Sequence, residues 1–203
     1  MRDIFYEALD QMGDAKLTVA KLHEDRKTLE TLFKMAMQTA EEMKVGGRLF
    51  MFGNGGSASD CAHIRAEFTG NLDQRRPALP AFDLSSNPTY LTAWSNDDEY
   101  RNIFERQVEC MVGEGDVVIG LTTSGRSENV LRGLGVAQTV GATVFGWTGQ
   151  MKTTPECTRL QSSCCRVLRV PSSQTMHIQE CHIICGHIFV SAVEKLLFPE
   201  LGL

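Results

Sequence analysis

The sequence predicts an α/β fold, a parallel sheet with helices on both faces. Short apolar runs alternate with segments of helical periodicity along the chain, the pattern of a sheet whose faces are both covered by helices. One run, Asp116-Val117-Val118-Ile119-Gly120-Leu121, reads as a buried strand. Two polar turns, 53–57 and 122–127, fall at the carboxyl ends of runs, where such sheets bind their ligands.

Taken in order, residues 14–44 read as one long helix. Val19, Leu22, Leu29, Leu32, Phe33, Ala36 and Ala40 recur at helical spacing among charged residues, and Gly46-Gly47 ends it. Arg48–Phe52 is a short apolar strand leading into Gly53-Asn54-Gly55-Gly56-Ser57. Ser57-Ala58-Ser59-Asp60 supplies caps for the next helix, which carries His63 and Glu67. Pro80–Leu84 is a second strand, and 99–111 is helical. The strand at 116–121 runs into Thr122-Thr123-Ser124-Gly125-Arg126-Ser127 and a helix over 127–140. Ala142–Trp147 and Cys165–Val170 complete a five-stranded set, and a final long helix covers 176–197. No internal repeat, low-complexity tract or linker interrupts the chain. One domain over 1–203 follows, with an N-terminal helical extension at 1–45 and an α/β core at 46–203.

Composition narrows the function. The formal net charge is −5, and lysines and arginines are scattered, so no basic footprint for nucleic acid is expected. No run approaches the ~18 apolar residues of a membrane span. The first residues carry an early acid and no apolar signal core, which leads to an expectation of the cytoplasm. The seven cysteines are odd in number and irregular in spacing, as expected of reduced thiols rather than a disulfide framework.

Three segments bear chemistry. Residues 122–127 offer four hydroxyls at a strand end and a helix start, a cradle suited to phosphate. The lysine of a Walker A loop is missing there, so nucleoside triphosphate hydrolysis is not implied, and a helix cap with spare hydroxyls is the plainer alternative. His63 and Glu67 lie one helical turn apart on one face, fit for a metal or for acid–base work, though such pairs are common surface contacts. The last helix places Gln179, Glu180, His182 and His187 in an apolar stretch. There a buried polar group needs a partner, be it a local hydrogen bond, a metal or a substrate. Cys181, His182 and Cys185 form a rival zinc constellation, but no second Cys/His pair completes four ligands.

The motifs Gly53-Asn54-Gly55-Gly56-Ser57, His63-x-x-x-Glu67-Phe68-Thr69-Gly70, Asn96-Asp97, Thr122-Thr123-Ser124-Gly125-x-Ser127 and Ile178-Gln179-Glu180-x-His182-x4-His187 occur together and in order. With them the chain resembles the phosphoheptose isomerases, single SIS-domain proteins, over almost its whole length. The resemblance implies a three-layer SIS domain with a parallel five-stranded sheet and aldose–ketose isomerisation of a sugar phosphate, sedoheptulose 7-phosphate first among candidates. It also implies one zinc ion per subunit on His63, Glu67, Gln179 and His187, with Glu67 and His187 as the catalytic pair. Asn54, Gly55, Gly56, Asn96 and Asp97 would line the sugar, Glu67 and Gln179 would also meet the substrate, and Ser57 would sit close to the phosphate. Thr122, Thr123, Ser124 and Ser127 would hold the phosphate. A homotetramer with interfacial active sites, packed in part through the N-terminal helices, is implied as well. Asn71, Met176 and Arg126 depart from the family pattern, at places that bear on the sugar and the interface more than on proton transfer. A related branch of SIS tetramers binds the replication initiator protein without catalysis, and Leu197-Phe198-Pro199-Glu200 resembles it. The His63, Glu67, Gln179 and His187 quartet, for which a binding scaffold has no need, separates the two readings.

Overall fold

A computed structural model of the chain describes residues 2–73, 75–151 and 153–201. Two helices lead, α1 (Arg2–Glu24) and α2 (Arg26–Lys44). The single helix expected over 14–44 is therefore two, and the first begins twelve residues earlier. Asp25 divides them: its carboxylate accepts the Thr28 N–H at 3.1 Å and the Thr28 hydroxyl at 2.8 Å, a cap that restarts the helix and contributes about 1 kcal/mol.

The remaining elements are β1 (Leu49–Gly53), α3 (Gly56–Thr69), β2 (Ala81–Asp83), α4 (Pro88–Asp97), α5 (Glu105–Met111), β3 (Val117–Leu121), α6 (Glu128–Thr139), β4 (Thr143–Thr148), α7 (Pro155–Ser163), β5 (Arg166–Arg169) and α8 (Thr175–Leu197). The helix expected at 99–111 splits into a 3-10 turn, Tyr100–Asn102, and α5. Helices α4 and α7 were not anticipated from the sequence. Both open on a side-chain cap followed by proline: Asn87 accepts the Tyr90 N–H and Thr154 the Cys157 N–H.

All five strands are parallel, in the order β2-β1-β3-β4-β5. Side chains alternate between the two faces. Leu49, Met51, Val117, Ile119, Leu121, Phe145, Trp147 and Leu168 pack under α2, α3 and α8. Phe50, Phe52, Val118 and Val144 pack under α5, α6 and α7. This is the expected three-layer architecture. From β1 the chain turns to β2 on one side, while β3 pairs on the other, with Gly53 opposite Leu121. The order reverses between β1 and β3, and the crevice outside their carboxyl ends is the place for a ligand. The turn at 53–57 and the loop at 122–127 are the two segments that leave those strand ends.

Candidate active site

The turn after β1 is built by glycine. Gly55 has φ +55° and forms the N-cap of α3 without any side-chain cap, so the capping expected of Ser57–Asp60 is not what starts this helix. Ser57 is buried instead, against Gly53. At Gly56 the constraint is space. A Cβ there would stand 2.6 Å from Gln179 Oε1, because the Gln179 amide lies flat on the Gly56 backbone.

Asn54 is tied rather than free. Its amide exchanges two hydrogen bonds with Asn129, Asn54 Nδ2 donating to Asn129 Oδ1 at 2.9 Å and Asn129 Nδ2 returning one to Asn54 Oδ1 at 2.8 Å. The Tyr100 hydroxyl donates to the same Asn54 oxygen at 2.7 Å. Asn129 is buried in the first turn of α6, so this pair links the glycine turn to the hydroxyl loop. Sequence reasoning missed Asn129 and Tyr100. The available signal was a buried-type neighbourhood, Val130-Leu131, carrying a lone amide two residues beyond Ser127.

In the loop after β3, Ser127 stands at the N-cap position of α6 but does not cap it. Its hydroxyl hydrogen-bonds the buried Thr122 hydroxyl at 3.0 Å, and Thr122 Oγ1 accepts the Ser127 N–H at 3.4 Å. Thr123 and Ser124 line a cleft of 240 Å³ together with Arg126, Gln150, Thr154, Cys157 and Ser173. Hydroxyls and one cation are among its lining, donors that suit an anion. Asn96 and Asp97, at the end of α4, are exposed and pair with each other at 3.1 Å.

Helices α3 and α8 run parallel, since Gly56 meets Gln179, His63 meets His187 and Phe68 meets Phe189. Where they meet, His63 Nε2 lies 3.0 Å from Glu67 Oε1 and 3.1 Å from His187 Nε2, and His187 Nε2 lies 3.3 Å from the same Glu67 oxygen. Among the described residues this is the one group of three His, Cys, Asp or Glu side chains whose ligand atoms converge. The Glu67 side chain is only 12% exposed, and its Oε2 is buried with no hydrogen-bond partner. The donor set fits zinc: two imidazole nitrogens and a carboxylate oxygen, spaced near the edge of a tetrahedron of ~2.0–2.1 Å bonds, about 3.3 Å. Three protein ligands are the number that leaves a position for substrate. The structure does not bring Gln179 to this group. Its amide stays on Gly56, seven residues and ~10 Å of helix axis before His63.

Asp60, one turn before His63, is a further acid at the site. Burial pushes its carboxyl up to about 6, with the His63 charge opposing, and its Oδ2 has no partner. The rival constellation does not assemble. Among the described residues Cys181, His182 and Cys185 do not converge on a common point, and burial raises the Cys181 thiol to about 11 and the Cys185 thiol to about 12. The neighbouring His182 is fully buried and donates through Nε2 to the Thr148 carbonyl at 3.4 Å. All seven cysteines are free.

A family model described as the SIS domain matches residues 15–149. The phosphoheptose isomerase of Aquifex aeolicus is 44% identical over 197 residues, covering 97% of this chain and 96% of that protein. The chain belongs to the phosphoheptose isomerase family. It is an isomerase. A second phosphoheptose isomerase, from Clostridium acetobutylicum, is 41% identical over 180 residues and 89% of each chain. The solved phosphoheptose isomerase of Neisseria gonorrhoeae superimposes with a TM-score of 0.83 at 27% identity, over 94% of this chain and 99% of that one. Among the described residues of this phosphoheptose isomerase family member, no helix is long and apolar enough to cross a membrane.

Proposed function

We propose that this isomerase interconverts sedoheptulose 7-phosphate and D-glycero-D-manno-heptose 7-phosphate through a cis-enediol. The supporting observation is the state of Glu67, with one carboxylate oxygen between two imidazole nitrogens and the other buried without a donor. A carboxylate and an imidazole side by side supply the base and the acid that such a transfer needs. The C1–H bond of the ketose breaks, its proton goes to Glu67, and the electron pair becomes the C1–C2 double bond as the C2 oxygen takes a proton from His187. Glu67 then returns its proton to C2 while His187 recovers one from the C1 oxygen. The sum leaves both residues as they began.

The substrate phosphate is assigned to Thr122, Thr123, Ser124 and Ser127. The sugar is assigned to the 53–57 turn, Gln179, Asn96 and Asp97. Holding the distant phosphate orients the reacting carbons and so contributes to rate rather than to affinity alone. A zinc ion on His63, Glu67 and His187 would polarise the carbonyl as a Lewis acid. The cytoplasm is the proposed compartment. We assign the apolar face of α1, where Ile4, Phe5, Leu9 and Met12 are exposed, to subunit packing in a homotetramer, with residues 1–203 as one domain per subunit.

Incubating wild type and Glu67→Gln with a panel of ketose phosphates, with carbon-bound proton exchange followed by NMR, tests the reading. The variant should lose isomerisation and keep its oligomeric state in gel filtration. Undiminished exchange in Glu67→Gln sinks the assignment.

A further inference from the structure

The loop that follows α3 carries Arg76, whose side chain is 1% exposed. Its Nε donates to Glu194 Oε1 on α8 at 2.7 Å, and Glu194 is equally buried. The rest of the guanidinium grips the end of α3. Arg76 donates to the carbonyl of Glu67 itself at 2.8 Å, to that of Phe68 at 2.8 Å and to that of Gly70 at 3.3 Å. The last carbonyls of a helix have no partner within it, so Arg76 completes the final turn of α3, the turn on which Glu67 stands. A cation there also suits the negative end of the helix dipole. Glu194 in turn accepts the Leu72 N–H at 3.1 Å and the Asp73 N–H at 3.3 Å. On α8, Glu194 lies seven residues after His187, two turns on and on the same side of the helix.

We infer that Arg76, held by Glu194, is a positioning residue for the proton-transfer pair: it fixes the backbone of Glu67 on α3 against the helix that carries His187. The attraction between the two charges adds little stability by itself, because desolvating them offsets most of it. A forked, directional grip on three carbonyls sets an orientation that apolar packing does not.

The inference rests on the reading that Glu67 and His187 move the proton, and the experiment separates the two. Wild type, Arg76→Met/Glu194→Met and Glu67→Gln are compared by thermal melting and by kcat and KM. The double variant should melt below wild type, because the α3 carbonyls and the Leu72 and Asp73 N–H groups lose their partners, and keep KM while kcat falls about 10- to 100-fold, the cost of a small misplacement of reacting groups. Wild-type kcat in a folded double variant, beside an inactive Glu67→Gln, overturns the positioning role and leaves the site reading standing. An active Glu67→Gln overturns the site reading itself, and this inference with it. If the double variant does not fold, Glu194→Asp, which keeps the charge but shortens the reach to Arg76, decides by the same kcat and KM split.

Discussion

Gly186 lies directly beneath Ile64. A Cβ at position 186 would stand 2.8 Å from both Cγ1 and Cδ1 of that isoleucine. The contact falls between the residues that matter, one position after His63 on α3 and one before His187 on α8. The absent side chain lets the two helices approach until the imidazoles meet. Gly186→Ala should therefore force the helices apart, costing about 1–3 kcal/mol of stability and lowering kcat. Ile64→Ala alone should leave a cavity and cost about 2–5 kcal/mol. Combined, the two changes should cost less than their sum, because the new methyl fills the vacated space. A double-mutant cycle by denaturant unfolding reads this coupling, and strict additivity would count against the close approach.

The strand pattern and both polar turns were legible in the sequence because each depends on local chemistry. Asp116–Leu121 is an apolar run, and Gly55 must have positive φ. Helices α4 and α7 carried a readable mark, a cap residue followed by proline, but little apolar periodicity to go with it. Asp25 is the same kind of case, a single cap breaking a pattern that otherwise runs on. The pairings of Asn54 with Asn129 and of Arg76 with Glu194 join residues 75 and 118 positions apart. Nothing local announces such contacts, since they follow from the order of the strands and the parallel lie of α3 and α8.

The amide pair of Asn54 and Asn129 predicts a defect in substrate grip. Asn129→Leu leaves the Asn54 amide with only Tyr100 as partner and loosens the glycine turn from the hydroxyl loop. Asn129 Oδ1 also accepts the buried Val130 N–H at 3.0 Å, so the variant strands that donor, at about 1–3 kcal/mol. KM for the sugar phosphate should rise by about tenfold or more, because the two loops no longer hold a fixed separation. Tyr100→Phe, which removes one hydrogen bond at an exposed residue, should raise it less. Steady-state kinetics on both variants check the order, and a larger effect from Tyr100→Phe would contradict it.

Metal removal should act through the three converging side chains. Dialysis against a chelator should abolish activity, and added zinc should restore it at about one ion per chain, as expected for a single three-ligand site. His63→Ala and His187→Ala should each lose bound zinc in elemental analysis. Cys181→Ser and Cys185→Ser should retain it, because those thiols do not converge with a third ligand. Zinc lost from the cysteine variants but kept in the histidine variants would move the site to the other constellation.

His182 gives the fold an acid sensitivity of its own. Burial pushes its pKa down from 6.5 to about 4, and the hydrogen bond to the Thr148 carbonyl only partly offsets this. The folded protein therefore keeps the ring neutral where the unfolded chain takes up a proton. Above pH 6.5 neither state is protonated and there is no penalty. As pH falls from 6.5 toward 4 the unfolded state gains protons alone, and stability drops by about 3 kcal/mol before levelling off. His182→Leu should remove this loss. The leucine keeps an apolar contact with Trp147, and the Thr148 carbonyl retains the Val170 N–H at 2.9 Å. Other carboxylates titrate in both proteins, so the difference between variant and wild type is the quantity to follow. Denaturant unfolding at pH 7, 5.5 and 4 should show that difference growing in favour of the variant as pH falls, and a difference independent of pH would refute the assignment to His182.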